Sequence, residues 1–135
     1  MSDEYGPIEF VVILIPDDSA VAAVLSVVGS QLDSSGVRLL DVVVIDRAVT
    51  GELTFAELSD DDLGALVLAA EGITSDEDAL HLAAALPAGE SALLLAIESV
   101  WLKNLTLAAG AAGGEVIHAD RIPADVVNAA AATIN

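Results

Sequence analysis

The sequence has 135 residues, of which 55% are hydrophobic and 3% aromatic, and it contains no cysteine. Its 22 Asp and Glu residues far outnumber its four Lys and Arg residues, so the formal net charge is −18. This composition excludes intrinsic disorder, disulfide bonds, thiolate metal sites and thiol catalysis. Four cations are too few to hold a nucleic acid or an anionic membrane surface against that charge, so we exclude both as partners.

The first part of the chain predicts strands separated by one helix. Ile8–Ile15 is a nearly continuous β-branched run, which is typical of a strand buried on both faces. Helical spacing of apolar residues predicts a helix over 21–32, and Gly36 can take the left-handed conformation that closes it. Val37–Ile45 predicts a second strand, which residues 52–58 could extend as a short hairpin.

The rest of the chain predicts a helical insert and a second strand–helix unit. Acidic triplets after Ser59 and Ser75 occupy the first turns of two predicted helices, which end at Gly72 and Leu86. The remaining predicted elements are strands over Ser91–Ile97 and Glu115–Ile122, a helix from Val100 to Gly113 and a last helix that Pro123 opens.

These elements form two similar halves. Half-units of about residues 6–58 and 90–135 each run strand, helix and strand, and each carries an Asp-Arg pair near its end. Joined by an insert of about 59–88, they predict one α+β domain over 1–135. Its expected fold is a ferredoxin-like split βαβ sandwich with a four-stranded, mainly antiparallel sheet.

Right-handed connections would place two strands, Ile8–Ile15 and Ala92–Ile97, side by side and parallel at the centre of this sheet. Helices on one face would leave the other face of the sheet in water, although both strands are apolar throughout. The second face therefore needs a cover. Either the helical insert covers it together with the last helix, or a second subunit lies sheet to sheet against it.

Six short stretches carry a resemblance to a known family. They are GPIEFVV at 6–12, ELSD at 57–60, LPAGESALLL at 86–95, Glu98 with Trp101, AAGGE at 111–115 and RIPA at 121–124. The chain resembles a family of small acidic actinobacterial proteins of unknown function, which is similar in turn to ferredoxin-like domains of bacterial general-stress proteins. The resemblance implies a ferredoxin-like fold and a stress-related setting, and it implies no activity.

The sequence lacks the residues with which ferredoxin-like domains usually bind RNA, phosphate or metal ions. An RNA-recognition sheet needs stacked aromatics, and the predicted central strands offer Phe10 alone. The turn over 16–19 is acidic and would repel phosphate. The acidic runs at 60–62 and 76–78 lack the spacing of a calcium loop and sit where helix starts favour acids. We expect no metal and no cofactor.

Three residues form the candidate ligand site. Glu98 ends a predicted central strand, where pockets form in open sheets, and Trp101 could wall such a pocket. His118 lies two residues before Asp120 on a predicted strand, so the two side chains would share a face. In the competing interpretation Glu98 caps a helix, Trp101 anchors that helix to the sheet, and His118 is a hydrogen-bonded residue at the sheet edge.

We therefore expect a non-enzymatic protein with no catalytic residues that associates with itself and acts through protein–protein interaction, with a homodimer favoured. The acidic start of the chain is unlike a secretory signal, so we expect a cytoplasmic location. One alternative is a small-molecule-binding or catalytic domain with a pocket near Glu98, Trp101 and His118. Another is an acidic antagonist that occupies a basic protein partner.

Overall fold

The computed structural model of the chain describes residues 5–32, 36–56, 58, 63–64 and 66–134. Over these residues the architecture is mixed α+β, with one four-stranded antiparallel sheet and four α-helices. The chain divides into two compact units, Met1–Asn104 and Leu105–Asn135. The strands are β1 (Ile8–Ile15), β2 (Val37–Arg47), β3 (Leu53–Ala56) and β4 (Ser91–Ser99), and the helices are α1 (Val21–Leu32), α2 (Asp76–Leu82), α3 (Val100–Ala111) and α4 (Ala124–Ala132).

The sheet has the strand order β1-β4-β2-β3, and every neighbouring pair is antiparallel. β1 and β2, which α1 connects, therefore run parallel to each other with β4 between them. The predicted neighbours Ile8–Ile15 and Ala92–Ile97 are adjacent, but the prediction of their direction is wrong. Ile8 lies opposite Glu98 and Ile15 lies opposite Ser91, which is an antiparallel register. β1 is also an edge strand of the described sheet and not a central one.

The prediction of a fourth strand over Glu115–Ile122 is wrong. Its backbone is irregular, and its residues are exposed. The fourth strand of the sheet is β3, which lies inside the hairpin predicted over 52–58 and pairs with β2 across a turn closed by Gly51. A hairpin partner six residues away closes a far shorter loop than a distant strand does, so β3 takes the outer edge of β2.

A ferredoxin-like arrangement is not confirmed, because the strand order places β4 and not β1 at the centre. The division into half-units of about 6–58 and 90–135 around an insert stays a prediction.

The helix predicted over 21–32 is confirmed as α1, which buries Val21 and Leu25 against the sheet. A 3₁₀ turn precedes it, where the Ser19 hydroxyl and backbone N–H both donate to the Asp17 carboxylate. These bonds, that of the hydroxyl foremost, hold the pKa of Asp17 below its ordinary value. Gly36 has φ +71°, the left-handed conformation predicted for it.

The prediction for the first helix of the insert is wrong over residues 66–72. The start of the first predicted helix, residues 59–62, lies outside the described residues. Its later part is not helical over 66–72, and here the N–H groups of Ala69 and Ala70 donate to the carbonyls of Leu39 and Leu40 on β2, at 3.2 and 2.9 Å. The N–H groups of Ala69 and Ala70 are thus used by the sheet and not by a preceding helical turn, so no helix runs through these two residues.

The second helix of the insert is confirmed as α2. The Ser75 hydroxyl accepts a hydrogen bond from the Asp78 N–H at 3.0 Å, which is the expected N-terminal cap. A 3₁₀ turn over Ala83–Ala85 continues α2 towards Leu86. Among the described helices, none is long and apolar enough to span a bilayer.

Elements of the first unit cover both faces of the sheet's middle. One face packs against α1 and two leucines of the insert, Leu66 and Leu68. The opposite face packs against α2 and the turn that follows it, through Ala79 and Ala83. The central residues of β4, 92–96, are at most 2% exposed as a result. The insert thus contributes to the cover of both faces, whereas the cover predicted from the last helix stays a prediction.

β1 is covered only in part on the face opposite α1. Val11, Ile13 and Ile15 point into the core beneath α1. On the opposite face Val12 and Leu14 are 40% and 58% exposed. The prediction that Ile8–Ile15 is buried on both faces is therefore wrong, because the cluster on this face takes in Phe10 of β1 but leaves Val12 and Leu14 exposed.

Candidate functional site

Glu98 is the last residue but one of β4 and is completely buried. The register of the sheet sets it between Ile8 on β1 and Arg38 on β2. A carboxylate in this position requires a cationic or hydrogen-bonding partner, because its desolvation is otherwise very costly. The prediction that Glu98 lies at the end of a central strand agrees with this placement.

Both carboxylate oxygens of Glu98 have partners. Oε1 accepts from Arg38 Nε at 2.8 Å and lies 2.6 Å from Arg38 Nη2. Oε2 accepts from the backbone N–H of Gly6 at 2.6 Å. Charge-assisted bonds of this kind are among the strongest in proteins. The carboxylate joins β4 to β2 and to the segment before β1, so a ligand could use it only by displacing one of these partners.

The segment before β1 lies close to the end of β4 and the start of α3. The Ser99 N–H donates to the Pro7 carbonyl at 2.8 Å. A Cβ at Gly6 would lie 2.6 Å from the Ser99 carbonyl oxygen and 2.7 Å from Lys103 Cβ, so only glycine fits there. The Arg38 guanidinium, whose side chain is 47% exposed, lies 5.8 Å from the centre of the Tyr5 ring.

Trp101 lies in the first turn of α3, three residues after Glu98. Its backbone N–H donates to the Gly36 carbonyl at 2.9 Å, and a Cβ at Gly36 would lie 3.1 Å from Trp101 Cβ. The residue is 55% exposed. Trp101 therefore contacts the turn that opens β2, while more than half of its surface faces solvent; the interpretation that it anchors the helix to the sheet stays a prediction.

His118 belongs to the second unit, whereas Glu98 and Trp101 belong to the first. The His118 side chain is 78% exposed, and its Nε2 lies 3.9 Å from Asp120 Oδ2. The predicted His–carboxylate proximity is thus present on an irregular segment and not on a strand. At such exposure the pair contributes little to stability.

Sequence reasoning missed a buried carboxylate on β2. The register between β2 and β4 shifts between Leu39 and Asp41, and this bulge leaves Asp41 3% exposed. Its Oδ1 accepts from the Val42 N–H at 3.0 Å and its Oδ2 from the Thr74 N–H at 3.1 Å. The one sequence signal was an aspartate inside the apolar run VRLLDVVVI.

Two clefts lie near these residues. The first, of about 160 Å³, has an acidic lining that includes Asp41, Glu71 and Asp76. The second, of about 330 Å³, lies between α1 and the start of β2, with leucine and valine walls and Arg38 among its lining residues. No group of three metal-binding side chains occurs among the residues that the structure describes. The first cleft suits a cationic group and the second an apolar one.

Comparison with known proteins gives one match. A model described as a family of unknown function (DUF6325) matches residues 4–134, nearly the whole chain. No curated protein and no solved structure matches the chain.

Proposed function

We propose that this chain, which belongs to the DUF6325 family of unknown function, is a non-enzymatic protein that associates with copies of itself and acts through protein–protein interaction. The observation that carries the proposal is the exposure of large apolar side chains in the second unit. No described residue of α3 or α4 is buried. The exposed large residues are Leu105, Leu107, Val116, Ile117, Ile122, Val126, Val127 and Ile134.

The charge distribution supports the same proposal. Residues 105–135 carry three Asp and Glu residues and one Arg, whereas the rest of the chain carries nineteen acidic and three basic residues. The segment with the most exposed large apolar side chains for its length is thus also weakly charged. Exposed apolar surface on a soluble protein marks interaction sites, and two copies repel each other least where their charge is smallest.

The candidate ligand site supports a non-enzymatic role. A general acid or base must reach its substrate, and the Glu98 carboxylate already accepts hydrogen bonds on both oxygens. The alternative of a small-molecule site would rely, within the first unit, on the exposed Trp101 and Arg38 side chains beside Glu98. We keep it as a second candidate, which a ligand that quenches Trp101 fluorescence would support.

An acidic antagonist of a basic protein is a further candidate. The acidic cleft beside Asp41 and the net charge of −18 favour it, since a lysine or arginine side chain would complement both. A cytoplasmic location, an actinobacterial origin and a stress-related role remain proposals that rest on the sequence and on its resemblance to stress-protein domains.

Native mass spectrometry and light scattering on the full chain test self-association. We expect dimers or larger assemblies at micromolar concentration. Ile117→Asp should lower the average mass, because it adds a charge to the apolar surface of the second unit. Val49→Asp, at an equally exposed position on the β2–β3 turn, should leave the mass unchanged. A strict monomer at every micromolar concentration would refute the proposal.

A further inference from the structure

The two edges of the sheet differ in length and in protection. β3 forms one edge and has four residues, whereas β1 forms the other and has eight, paired with β4 without a bulge. Proteins protect edge strands with short length, proline, lysine or bulges, because the outward N–H and C=O groups can pair with another strand. β1 has none of these four devices; its single charged residue, the half-buried Glu9, lies near its start and leaves Phe10 to Ile15 without a charge.

The outer side of β1 combines backbone and side-chain features of a pairing surface. About four of its eight residues direct their N–H and C=O groups away from β4, as in any antiparallel edge. No described strand pairs on that side. Val12 and Leu14 are exposed on the sheet face that α2 leaves open at β1. A strand added here would pair the backbone groups and cover part of both side chains.

We infer that β1 pairs antiparallel with β1 of a second copy of this chain, which joins two sheets into one of eight strands; the inference rests on the proposed self-association and adds a contact to that of the second unit. A two-fold axis perpendicular to the sheet keeps each face continuous across the junction. With the axis at Val12, Val12 faces Val12 of the other copy and Leu14 faces its Phe10. Glu9 faces Ile15, so the carboxylates of the two copies do not oppose each other.

A second copy suits this edge better than an unrelated strand for two reasons. The sequence IEFVVILI is its own complement in this register, because every cross-strand pair is apolar except the two that contain Glu9. The strand is also nearly uncharged within a first unit whose formal charge is −16, so edge-to-edge contact keeps most acidic side chains of the two copies apart.

Single-cysteine variants test the register cleanly, because the chain contains no cysteine. Directly opposed residues have Cβ atoms about 4.5–5.5 Å apart, whereas residues four positions out of register are about 13 Å apart. Under mild oxidation we expect Val12→Cys to form a disulfide-linked dimer. Leu14→Cys should form far less, although Leu14 is the more exposed of the two. Thr54→Cys on the β3 edge is the second control.

Equal cross-linking of the three variants would overturn the inference, because random collision would then explain it. Failure of Val12→Cys to cross-link while the unmodified chain remains oligomeric would overturn the edge contact and leave self-association standing. A monomeric unmodified chain would overturn both.

Leu14→Lys provides an independent measurement. Lysine reduces the negative charge of the chain, so a purely electrostatic effect would strengthen association, whereas loss of the edge contact would weaken it. We expect the average mass to fall at equal concentration, with an unchanged circular dichroism spectrum. Val49→Lys is the matched control and should not lower the mass. An unchanged mass for Leu14→Lys would contradict the inference.

Discussion

At the scale of single residues, Glu98 is notable because its charged carboxylate holds parts of the fold together. Its carboxylate is buried and accepts bonds from Arg38 and from the Gly6 N–H. Elsewhere in the sheet the buried side chains are almost all aliphatic, so Glu98 is where the strands are joined by charge. From the sequence alone, a carboxylate at a strand end could either bind a ligand or stabilise the fold. The bonds that Glu98 accepts from Arg38 and Gly6 favour the second role.

Glu98→Gln tests this structural role. A glutamine has one acceptor oxygen and an NH₂ group, so it would turn a donor towards either Arg38 or Gly6 and remove the charge that balances Arg38. Arg38 is about half exposed, so we expect a loss of about 1–3 kcal/mol in the free energy of unfolding in urea.

Glu52→Gln, at an exposed position, is the control for this substitution and should change stability by less than about 0.5 kcal/mol. Equal urea midpoints for the two variants would show that the buried carboxylate contributes nothing to the fold.

At the scale of elements, the four α-helices differ in how many of their residues are buried. α1 and α2 bury residues against the sheet, while α3 and α4 bury none. α4 has nine residues, and Pro123 at its start provides no side-chain cap. A helix this short is marginal in water without tertiary contacts. Its stability therefore depends on whatever covers its apolar side chains.

Hydrogen exchange measures this difference. At a dilution where the chain is monomeric, the amides of α4 should exchange at least about 100-fold faster than those of residues 93–95 in β4. β4 is bonded on both sides, and these residues are at most 2% exposed. Higher protein concentration should slow exchange in α4. Equal protection of both elements at dilution would contradict this expectation.

The elements that the sequence predicts well are those with local signals. The bounds of β1, the helix over 21–32, the left-handed Gly36 and the Ser75 cap each follow from residues within a few positions of one another. The strand order was not predictable in this way. Antiparallel and parallel neighbours can have the same apolar pattern, and nothing local to Ile8–Ile15 states whether it lies at the edge or the centre.

In the candidate site, too, the features with local sequence signals were predictable and the contacts between distant residues were not. The position of Glu98 at a strand end follows from local pattern, but its partner Arg38 lies sixty residues earlier and meets it through the sheet register. Asp41 was missed because a bulge, which has no sequence signature here, buries it. Glu115–Ile122 contains apolar residues that a strand could bury, yet in the structure the segment is irregular and exposed.

At the scale of the whole molecule, the large negative charge opposes any contact between copies. The apolar surfaces that favour association must overcome this repulsion, which salt screens over a distance that falls from about 10 Å at 0.1 M to about 3 Å at 1 M. Lowering the pH towards the isoelectric point near 4.1 also reduces the repulsion, since carboxylates lose their charge.

Salt therefore separates the proposed function from the acidic-antagonist alternative. Self-association should strengthen as sodium chloride rises, which sedimentation or light scattering at fixed protein concentration would detect. Binding to a basic protein partner should weaken over the same range, because salt screens attraction as it screens repulsion. Self-association that weakens with salt would mean that contacts between opposite charges hold the copies together.

β4, one of the two inner strands of the sheet, is the last of the four strands to be synthesised. β1 and β2 both pair with β4, so when the ribosome has made the first ninety residues, β1 has no partner and β2 has only β3. The seven apolar residues of β1 therefore have no hydrogen-bonded neighbour until β4 has been made. Contacts so distant along the chain slow folding and prolong the exposure of aggregation-prone segments. Nascent copies on neighbouring ribosomes would thus meet with β1 unpaired on both sides, so its inner side as well as its outer one would be open to another chain.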